Sequence, residues 1–192
     1  MGWKSNKFQK FTINFLVIIS LSGFLEGDQL DEMIDGKKDS FQKIAIDIWE
    51  LAELGYLENQ SSKLLADELS KNGFKITKGV AGIPTGFIAE YSNGGPVVGI
   101  LGEFDALPGL AQTTSPFKEV AENKTGAGHA CGHHLFGAAS AWAAVAIKDW
   151  IVESGIKGTI RFYGTPAEEG GSGKVYMVRE GLFKDVDIVL HW

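Results

Sequence analysis

The hydrophobic positions of this chain first recur at helical spacing and later follow the alternation of strands. Apolar side chains after Asp39 repeat every three or four residues, which predicts an amphipathic helix that begins near Asp39. Asp39 and Gln42 are predicted to form a capping pair at its N-terminus. A second helix is predicted over residues 62–72, with Ser61 at its N-cap and Gly73 as its left-handed C-terminal residue. The first ordered part of the chain is therefore predicted to be helical.

The pattern then changes to short apolar runs separated by turn residues. Strands are predicted over residues 74–80, 86–91 and 97–104, and the turn at 92–95 is suited to a hairpin between the last two. Residues 105–130 have no period, and a loop of this length in a compact domain is usually functional. We therefore expect functional residues at or near this loop.

Helix and strand alternate in the rest of the chain. The predicted elements are an alanine-rich helix over residues 135–153, a strand over 158–165, a helix over 173–180 that ends at Gly181, and a strand over 186–192. This alternation predicts an α/β fold class with a largely parallel sheet and right-handed crossovers. The alanine-rich helix is expected to lie against the sheet. In such sheets, functional sites form beyond the carboxyl ends of the strands.

The composition is that of an ordinary globular protein. Of the 192 residues, 44% are hydrophobic and 22% are charged, and the formal net charge of -6 is spread along the chain. This distribution argues against nucleic acid as a partner and favours a small-molecule substrate. A single cysteine, Cys131, excludes an intramolecular disulfide and a structural zinc site built from several cysteines.

The N-terminal segment has a different character from the rest. Lysines precede an apolar stretch over residues 11–24, which predicts that residues 1–25 are a signal peptide for export to the periplasm or the exterior. The stretch is shorter than the roughly 20 residues of a membrane span, which favours a cleaved signal peptide. A membrane anchor formed by the same segment is the alternative. Residues 26–38 are polar without a period and are predicted to be a linker, which leaves residues 39–192 for the folded domain.

Two short motifs carry side chains that bind divalent metals. In GAGHACGHHLF, Cys131 and His133 are two residues apart on a glycine-punctuated loop, so both can face one ion. In TPAEEGGSGK, the adjacent side chains of Glu168 and Glu169 point in different directions, so one can bind metal while the other faces a substrate. These residues are compatible with a hydrolytic metal site of mixed sulfur, nitrogen and oxygen donors that leaves an open position for water.

Three further possibilities concern individual residues. Asp105 follows a predicted strand, where it would orient an imidazole ligand as a hydrogen-bond acceptor. His191 ends the last strand and is either a packed histidine or another ligand. Cys131 with a neighbouring histidine is also compatible with the thiolate nucleophile of a cysteine amidase.

Five segments in order resemble the amidohydrolase branch of metallopeptidase family twenty, over roughly residues 40–192. They are GEFDALPG, GHACGHHLFG, RFYGTPAEEGGSGK, MVREGLF and DVDIVLHW. The resemblance implies a zinc-peptidase-like three-layer αβα catalytic domain and a site for two divalent ions, zinc or manganese. The implied site residues are the metal ligands Cys131, His133, Glu169 and His191, the general base Glu168 and the supporting acid Asp105.

The implied reaction is hydrolysis of an amide in N-acyl or N-aroyl amino acids or dipeptides, of which aminobenzoyl-glutamate is an example. Water activated by metal would attack the carbonyl, with Glu168 accepting the proton and returning it to the amine. His134, where related branches carry aspartate, is a competing ligand.

The same resemblance carries expectations about the whole protein. Relatives are more than twice as long, so this chain is expected to be the N-terminal part of the catalytic domain, without the lid or dimerisation domain and the second catalytic half. An inactive fragment is therefore an alternative to an active enzyme. Longer relatives are expected to be oligomeric. By analogy with them, a cytoplasmic location of this protein is a further alternative to export.

Overall fold

A computed structural model describes residue 27 and residues 30–122 and 125–192. The signal peptide predicted for residues 1–25 lies outside this part of the chain and stays a prediction. Residues 30–35, within the predicted linker, are helical. The carbonyl of Ile34 accepts a hydrogen bond of 2.9 Å from Nε1 of Trp142, which ties this segment to the long core helix.

The α/β fold class is confirmed, and the predicted helices and strands are present with their ends shifted by a few residues. In chain order they are α1 (Lys38–Leu51), α2 (Asn59–Lys71), β1 (Lys75–Lys78), a short 3-10 helix (Val80–Gly82), β2 (Phe87–Ser92), β3 (Val97–Gly102), α3 (His133–Ser154), β4 (Thr159–Gly164), a single helical turn (Glu168–Gly171), α4 (Gly173–Arg179) and β5 (Ile188–Leu190).

Two predicted helix caps are wrong. Asp39 lies inside the first turn of α1, which has no side-chain cap, so it forms no capping pair with Gln42. Ser61 lies inside α2, because the carboxylate of Glu53 binds the N–H groups of the first turn from outside and reaches Ser61 N at 2.8 Å. Gly73, which follows the C-cap residue Asn72 of α2, has the predicted left-handed conformation, with a φ of 88°.

The described strands form one mixed sheet in the order β1-β2-β4-β3-β5. β3 is parallel to β4 and β5, whereas β2 is antiparallel to β1 and β4. The predicted hairpin between β2 and β3 is wrong, because the crossover through α3 returns β4 between them. The turn after β2 instead packs against the segment that leads into β4, where Asn93 Nδ2 donates to the carbonyl of Ile156 at 2.9 Å.

The main core lies between the sheet and the three long helices. Its largest buried side chains include Phe41, Ile48, Leu65, Phe87 and Phe162. On the other face of the sheet, the buried ring of Tyr163 lies 4.5 Å from that of Phe183, and its hydroxyl donates to the carbonyl of Leu182. The segment after α4 therefore covers this face of the sheet at Tyr163.

α3 is the central helix of this core. Among the described residues it is the one helix that is long and apolar enough to cross a membrane. Ala141, Ala144 and Val145 are nonetheless fully buried in the core, and the helix packs on β3, β4 and α1. Its apolar composition is explained by this packing, as the alanine-rich sequence predicts.

Two glycines bring the first turn of α3 close to the end of β3. A Cβ atom on Gly137 would lie 2.5 Å from the carbonyl oxygen of Glu103, and one on Gly102 would lie 3.3 Å from Cα of Gly137 and 2.6 Å from the ring of Phe162. Neither position has room for a side chain. This close approach places His133, the first residue of α3, beside the residues that follow β3.

Candidate metal centre

The predicted metal-binding side chains meet where the first turn of α3 faces the segments that follow β3 and β4. One ligand atom each from Cys131, His133 and Glu169 lies within 4.8 Å of the others. Glu103, His133 and Glu168 form a second group under the same limit. His133 belongs to both groups, so it lies between two clusters of metal-binding atoms.

The imidazole of His133 is buried between two carboxylates. Its Nδ1–H donates to Oδ1 of Asp105 at 3.0 Å, and its Nε2 lies 2.9 Å from Oε2 of Glu103. The same Nε2 lies 3.9 Å from the carboxylates of both Glu168 and Glu169. Burial by itself lowers the pKa of His133, but the hydrogen bonds to Asp105 and Glu103 outweigh it and raise the pKa to about 11.

Asp105 connects the imidazole to the turn that follows β4. It is 1% exposed, and its second oxygen, Oδ2, accepts a hydrogen bond of 3.0 Å from the backbone N–H of Glu169. Burial acts to raise the pKa of Asp105, but the hydrogen bond from His133 and that backbone N–H bring the pKa below its ordinary value. Asp105 therefore stays ionised, and it orients Nε2 of His133 toward the other carboxylates.

Glu103 belongs to the site although its sequence position alone did not single it out. It is buried and binds His133, the ammonium of Lys174 and Nε2 of His191, the last at 3.0 Å. Burial would raise the pKa of Glu103, but these hydrogen bonds lower it to about 2. Side chains two residues apart in extended chain share a side, so its spacing from Asp105 was the available signal.

The two glutamates differ in their surroundings, as expected for adjacent side chains. Glu168 is 39% exposed in its side chain, whereas Glu169 is 19% exposed. Oε1 of Glu169 is buried and has no hydrogen-bond partner in the described part of the chain. A buried carboxylate oxygen without a partner is costly, and a cation bound to it would remove that cost.

The thiol of Cys131 is on an exposed residue at the edge of the same cluster. Partial desolvation raises its pKa above the ordinary value, and the charge of Glu169 adds to that rise. Nucleophilic cysteines normally have a lowered pKa, so this environment does not activate the thiol by itself. Sulfur, nitrogen and carboxylate donors in one cluster do fit zinc or another divalent ion.

The other histidines lie outside the cluster of Cys131, His133 and Glu169. His191 binds Glu103 and packs edge-on against Phe136 at 5.3 Å, so its role as a ligand stays a prediction. The ring of His134 lies 5.0 Å from that of His129, and Nδ1 of each ring is buried without a partner among the described residues. Burial, above all, lowers the pKa of His129 to about 4.

A cavity of about 420 Å³ opens beside the two acidic groups Asp105 and Glu169. Its walls include the apolar side chains of Leu54, Leu107 and Pro108. The helical turn that bears the glutamates is flanked by Ala167 and Ser172, which have left-handed φ angles of 56° and 55°. The site thus combines metal-binding atoms, an adjacent apolar space and an unusual backbone turn.

Comparison with known proteins gives the family context of this site. Residues 99–192 match the model of peptidase family M20/M25/M40. The chain is 44% identical over 163 residues to one of the subunits of the p-aminobenzoyl-glutamate hydrolase of Escherichia coli, with 85% of this chain and 34% of that protein covered. It is 31% identical to hippurate hydrolase of Campylobacter jejuni, with 79% of this chain and 38% of that protein covered.

A solved structure with the same fold is a dinuclear metal-binding peptidase of the M20 family from Bacillus subtilis. The TM-score is 0.66 at 30% identity, and the match covers 79% of this chain and 42% of that one. The chain spans about a third of the length of the curated relatives named above. Its sequence, through residues 99–192, and its fold identify the chain as a member of peptidase family M20/M25/M40.

Proposed function

We propose that this chain forms the metal-binding part of an amidohydrolase that cleaves N-acyl or N-aroyl amino acids or dipeptides. The observation that carries the proposal is the convergence of Cys131, His133 and Glu169 within 4.8 Å, with Glu168 beside them. Hippurate and aminobenzoyl-glutamate, which appear in the names of two relatives, are both N-aroyl amino acids. We therefore propose this substrate class.

We propose that these donors hold two divalent ions, since the Bacillus subtilis structure is described as a dinuclear metal-binding peptidase. Cys131, His133 and Glu169 would hold one ion, and the buried oxygen of Glu169 that accepts no hydrogen bond from the described residues supports this assignment. We propose that His191 contributes to the same centre. A thiolate favours zinc, while the carboxylates also accept manganese. Such ions, when bound, lower the pKa of a water molecule and polarise a carbonyl oxygen.

Glu168 is the proposed general base. Its carboxylate is more exposed than that of Glu169 and lies 3.9 Å from Nε2 of His133, so it can reach both the site and a bound substrate. It would take a proton from the attacking water and return it to the departing amine, so that proton and charge balance over the reaction. Asp105 would keep the imidazole oriented throughout.

A cysteine-nucleophile amidase is the alternative from another class. It requires an activated thiolate, but desolvation raises the pKa of Cys131. The buried oxygen of Glu169, which accepts no hydrogen bond from the described residues, has no role in that mechanism. Both observations favour the metal-dependent reaction.

The activity test uses a chimera, because the chain spans about a third of its relatives' length. The matched part of this chain replaces the corresponding part of the Escherichia coli protein, and hydrolysis of p-aminobenzoyl-glutamate and hippurate is measured. We expect hydrolysis that a chelator abolishes, that zinc or manganese restores, and that iodoacetamide leaves unchanged in the metal-loaded protein. A metal-loaded, folded chimera that cleaves neither amide would contradict the proposed function. Activity that survives the chelator but not iodoacetamide would favour the cysteine mechanism instead.

A further inference from the structure

The helical turn that carries Glu168 and Glu169 rests on residues 53–58, the connection between α1 and α2. We infer that Glu58, in this connection, is a positioning residue for the turn. Its buried carboxylate fixes the backbone from which the side chains of Glu168 and Glu169 diverge. The inference rests on the roles proposed above for the two glutamates.

Glu58 is completely buried, at 0% exposed, and both of its carboxylate oxygens are bound. Oε1 accepts a hydrogen bond of 2.8 Å from the backbone N–H of Ala167, and Oε2 accepts one of 2.9 Å from the hydroxyl of Thr85. An acidic side chain is rarely buried in this way unless its oxygens have partners. One of these partners is the residue directly before Glu168.

Ala167 needs such support because of its conformation. Its φ of 56° and ψ of 45° lie in the left-handed region, which residues other than glycine adopt rarely and only when their surroundings over-determine them. The N–H of Ala167 donates to the carboxylate of Glu58, and the carbonyl of Ala167 accepts a hydrogen bond of 3.1 Å from the N–H of Gly171. Gly55 packs against it so closely that an added Cβ would lie 3.0 Å from the Cβ of Ala167.

The same connection also contacts the other end of the turn and the segment that follows β3. The hydroxyl of Tyr56 donates to the carbonyl of Gly171, the last residue of the turn. The carbonyl of Glu53 accepts a hydrogen bond of 2.8 Å from the N–H of Ala106, which follows Asp105. Residues 53–58 thus link the backbone on both sides of the candidate metal centre, and Glu58 is their buried contact with the turn.

The test compares amide hydrogen exchange in the metal-free 192-residue chain and its Glu58→Ala and Glu58→Gln variants. The reporter is the N–H of Glu169, which donates to Asp105, and the N–H of Val145 in the core helix is measured beside it as the reporter of global unfolding. We expect exchange at Glu169 to be about tenfold faster in Glu58→Ala, because the N–H of Ala167 loses its partner. Glu58→Gln should stay within about twofold of the parent, since an amide oxygen can still accept that hydrogen bond.

Glu68→Ala is the matched control. Glu68 is also a buried carboxylate with hydrogen bonds, to Ser40 and Asn72, but it lies on α2 away from the turn. The control should leave the exchange rate at Glu169 unchanged, because a loss of global stability speeds exchange at Val145 and leaves the local opening of the turn as it was. A folded Glu58→Ala variant with the parent's exchange rate at Glu169 would overturn the inference, and so would Glu58→Gln if it exchanged as fast as Glu58→Ala.

If Glu58→Ala does not fold, Glu58→Asp decides the question. Its carboxylate is one methylene shorter and cannot reach Ala167 in the same backbone, so we expect faster exchange at Glu169. The parent's exchange rate at Glu169 in that variant would overturn the inference. Zinc affinity, measured by chelator competition, should also fall about tenfold in Glu58→Ala or Glu58→Asp. A parent chain that binds no zinc would contradict the proposed function, while the metal-free exchange data would still decide the role of Glu58.

Discussion

The carboxylate of Asp105 lies 3.0 Å from Nδ1 of His133, and this contact determines which imidazole nitrogen faces the metal-binding atoms. With Nδ1 bound, Nε2 is directed toward Glu103, Glu168 and Glu169. A carboxylate behind a ligating histidine fixes ring orientation and raises ligand basicity. The relationship joins the segment after β3 to the first turn of α3.

Asp105→Asn should therefore weaken metal binding without removing any proposed ligand. We expect zinc affinity to fall about 10- to 100-fold, because an amide does not orient the imidazole or raise its basicity as a carboxylate does. Competition with a chromophoric chelator measures the effect. Asp187→Asn serves as the control, since Asp187 binds the N–H of Val97 at the far end of β3. Equal affinity of Asp105→Asn and the control would remove Asp105 as the orienting group.

Replacing each of the two glutamates by glutamine should separate their functions. Glu168→Gln is expected to keep the parent's metal content and to lower turnover about 10²- to 10⁴-fold in the chimera, because the proton acceptor is lost. Glu169→Gln and Cys131→Ser are expected to lower metal content, because each removes a charged donor. Elemental analysis and hydrolysis rates are measured on the same samples. Unchanged metal stoichiometry in Glu169→Gln would rule it out as a ligand, and turnover above a tenth of the parent's in Glu168→Gln would rule it out as the base.

Gly137→Ala should affect both stability and metal binding. Its new methyl group would meet the carbonyl of Glu103 at 2.5 Å, which forces α3 away from the end of β3. Overpacking of this kind costs about 1–3 kcal/mol of the free energy of unfolding, measured by urea denaturation. Metal affinity should fall as well, because His133 moves with the helix. Gly170→Ala is the control, since an added Cβ there meets nothing within 4 Å, and equal stability of the two variants would contradict the prediction.

Glu58 should make stability depend on pH. Burial, above all, raises its pKa above the ordinary value of 4.5, although hydrogen bonds from Ala167 and Thr85 act against the rise, and the charge of Asp105 adds to it. Between 4.5 and the raised pKa the folded state holds more protons than the unfolded state, so the free energy of unfolding decreases as pH rises through this range.

The Glu58→Gln variant lacks this titration. We therefore expect its stability relative to the parent to increase with pH when urea denaturation is compared between about pH 5 and about pH 8. Glu68→Gln is a suitable control, because the pKa of Glu68 is lowered: burial would raise it, but hydrogen bonds from Ser40 and Lys71 prevail. A stability difference between Glu58→Gln and the parent that does not vary with pH would contradict a raised pKa in Glu58.

Local sequence was sufficient for the main helices and strands and for the residues that could bind metal. The helical period after Asp39, the glycine after α2 and the alanine-rich run of α3 are local signals, and each predicted element is present. Cys131, His133 and the pair of glutamates that includes Glu169 were identified by their donor chemistry, and their proximity follows from the strand-helix-strand order. The caps were predicted less well, because Glu53 binds the first turn of α2 from outside it.

Tertiary structure decided what depends on distant neighbours. Strand order is one case: the turn after β2 fits a hairpin locally, but β4 takes the place between β2 and β3 and pairs with both. Glu58 is another case, since its carboxylate accepts a hydrogen bond from Ala167, which lies 109 residues away in the chain.

The sequence by itself thus determined the α/β class and the chemical types of the candidate ligands, because periodicity and side-chain chemistry are local properties. Only the tertiary structure decided which oxygen faces which nitrogen, and that Glu103 and Glu58 belong to the surroundings of the site. The physical reason is that hydrogen bonding and burial depend on atoms brought together from separate segments of the chain.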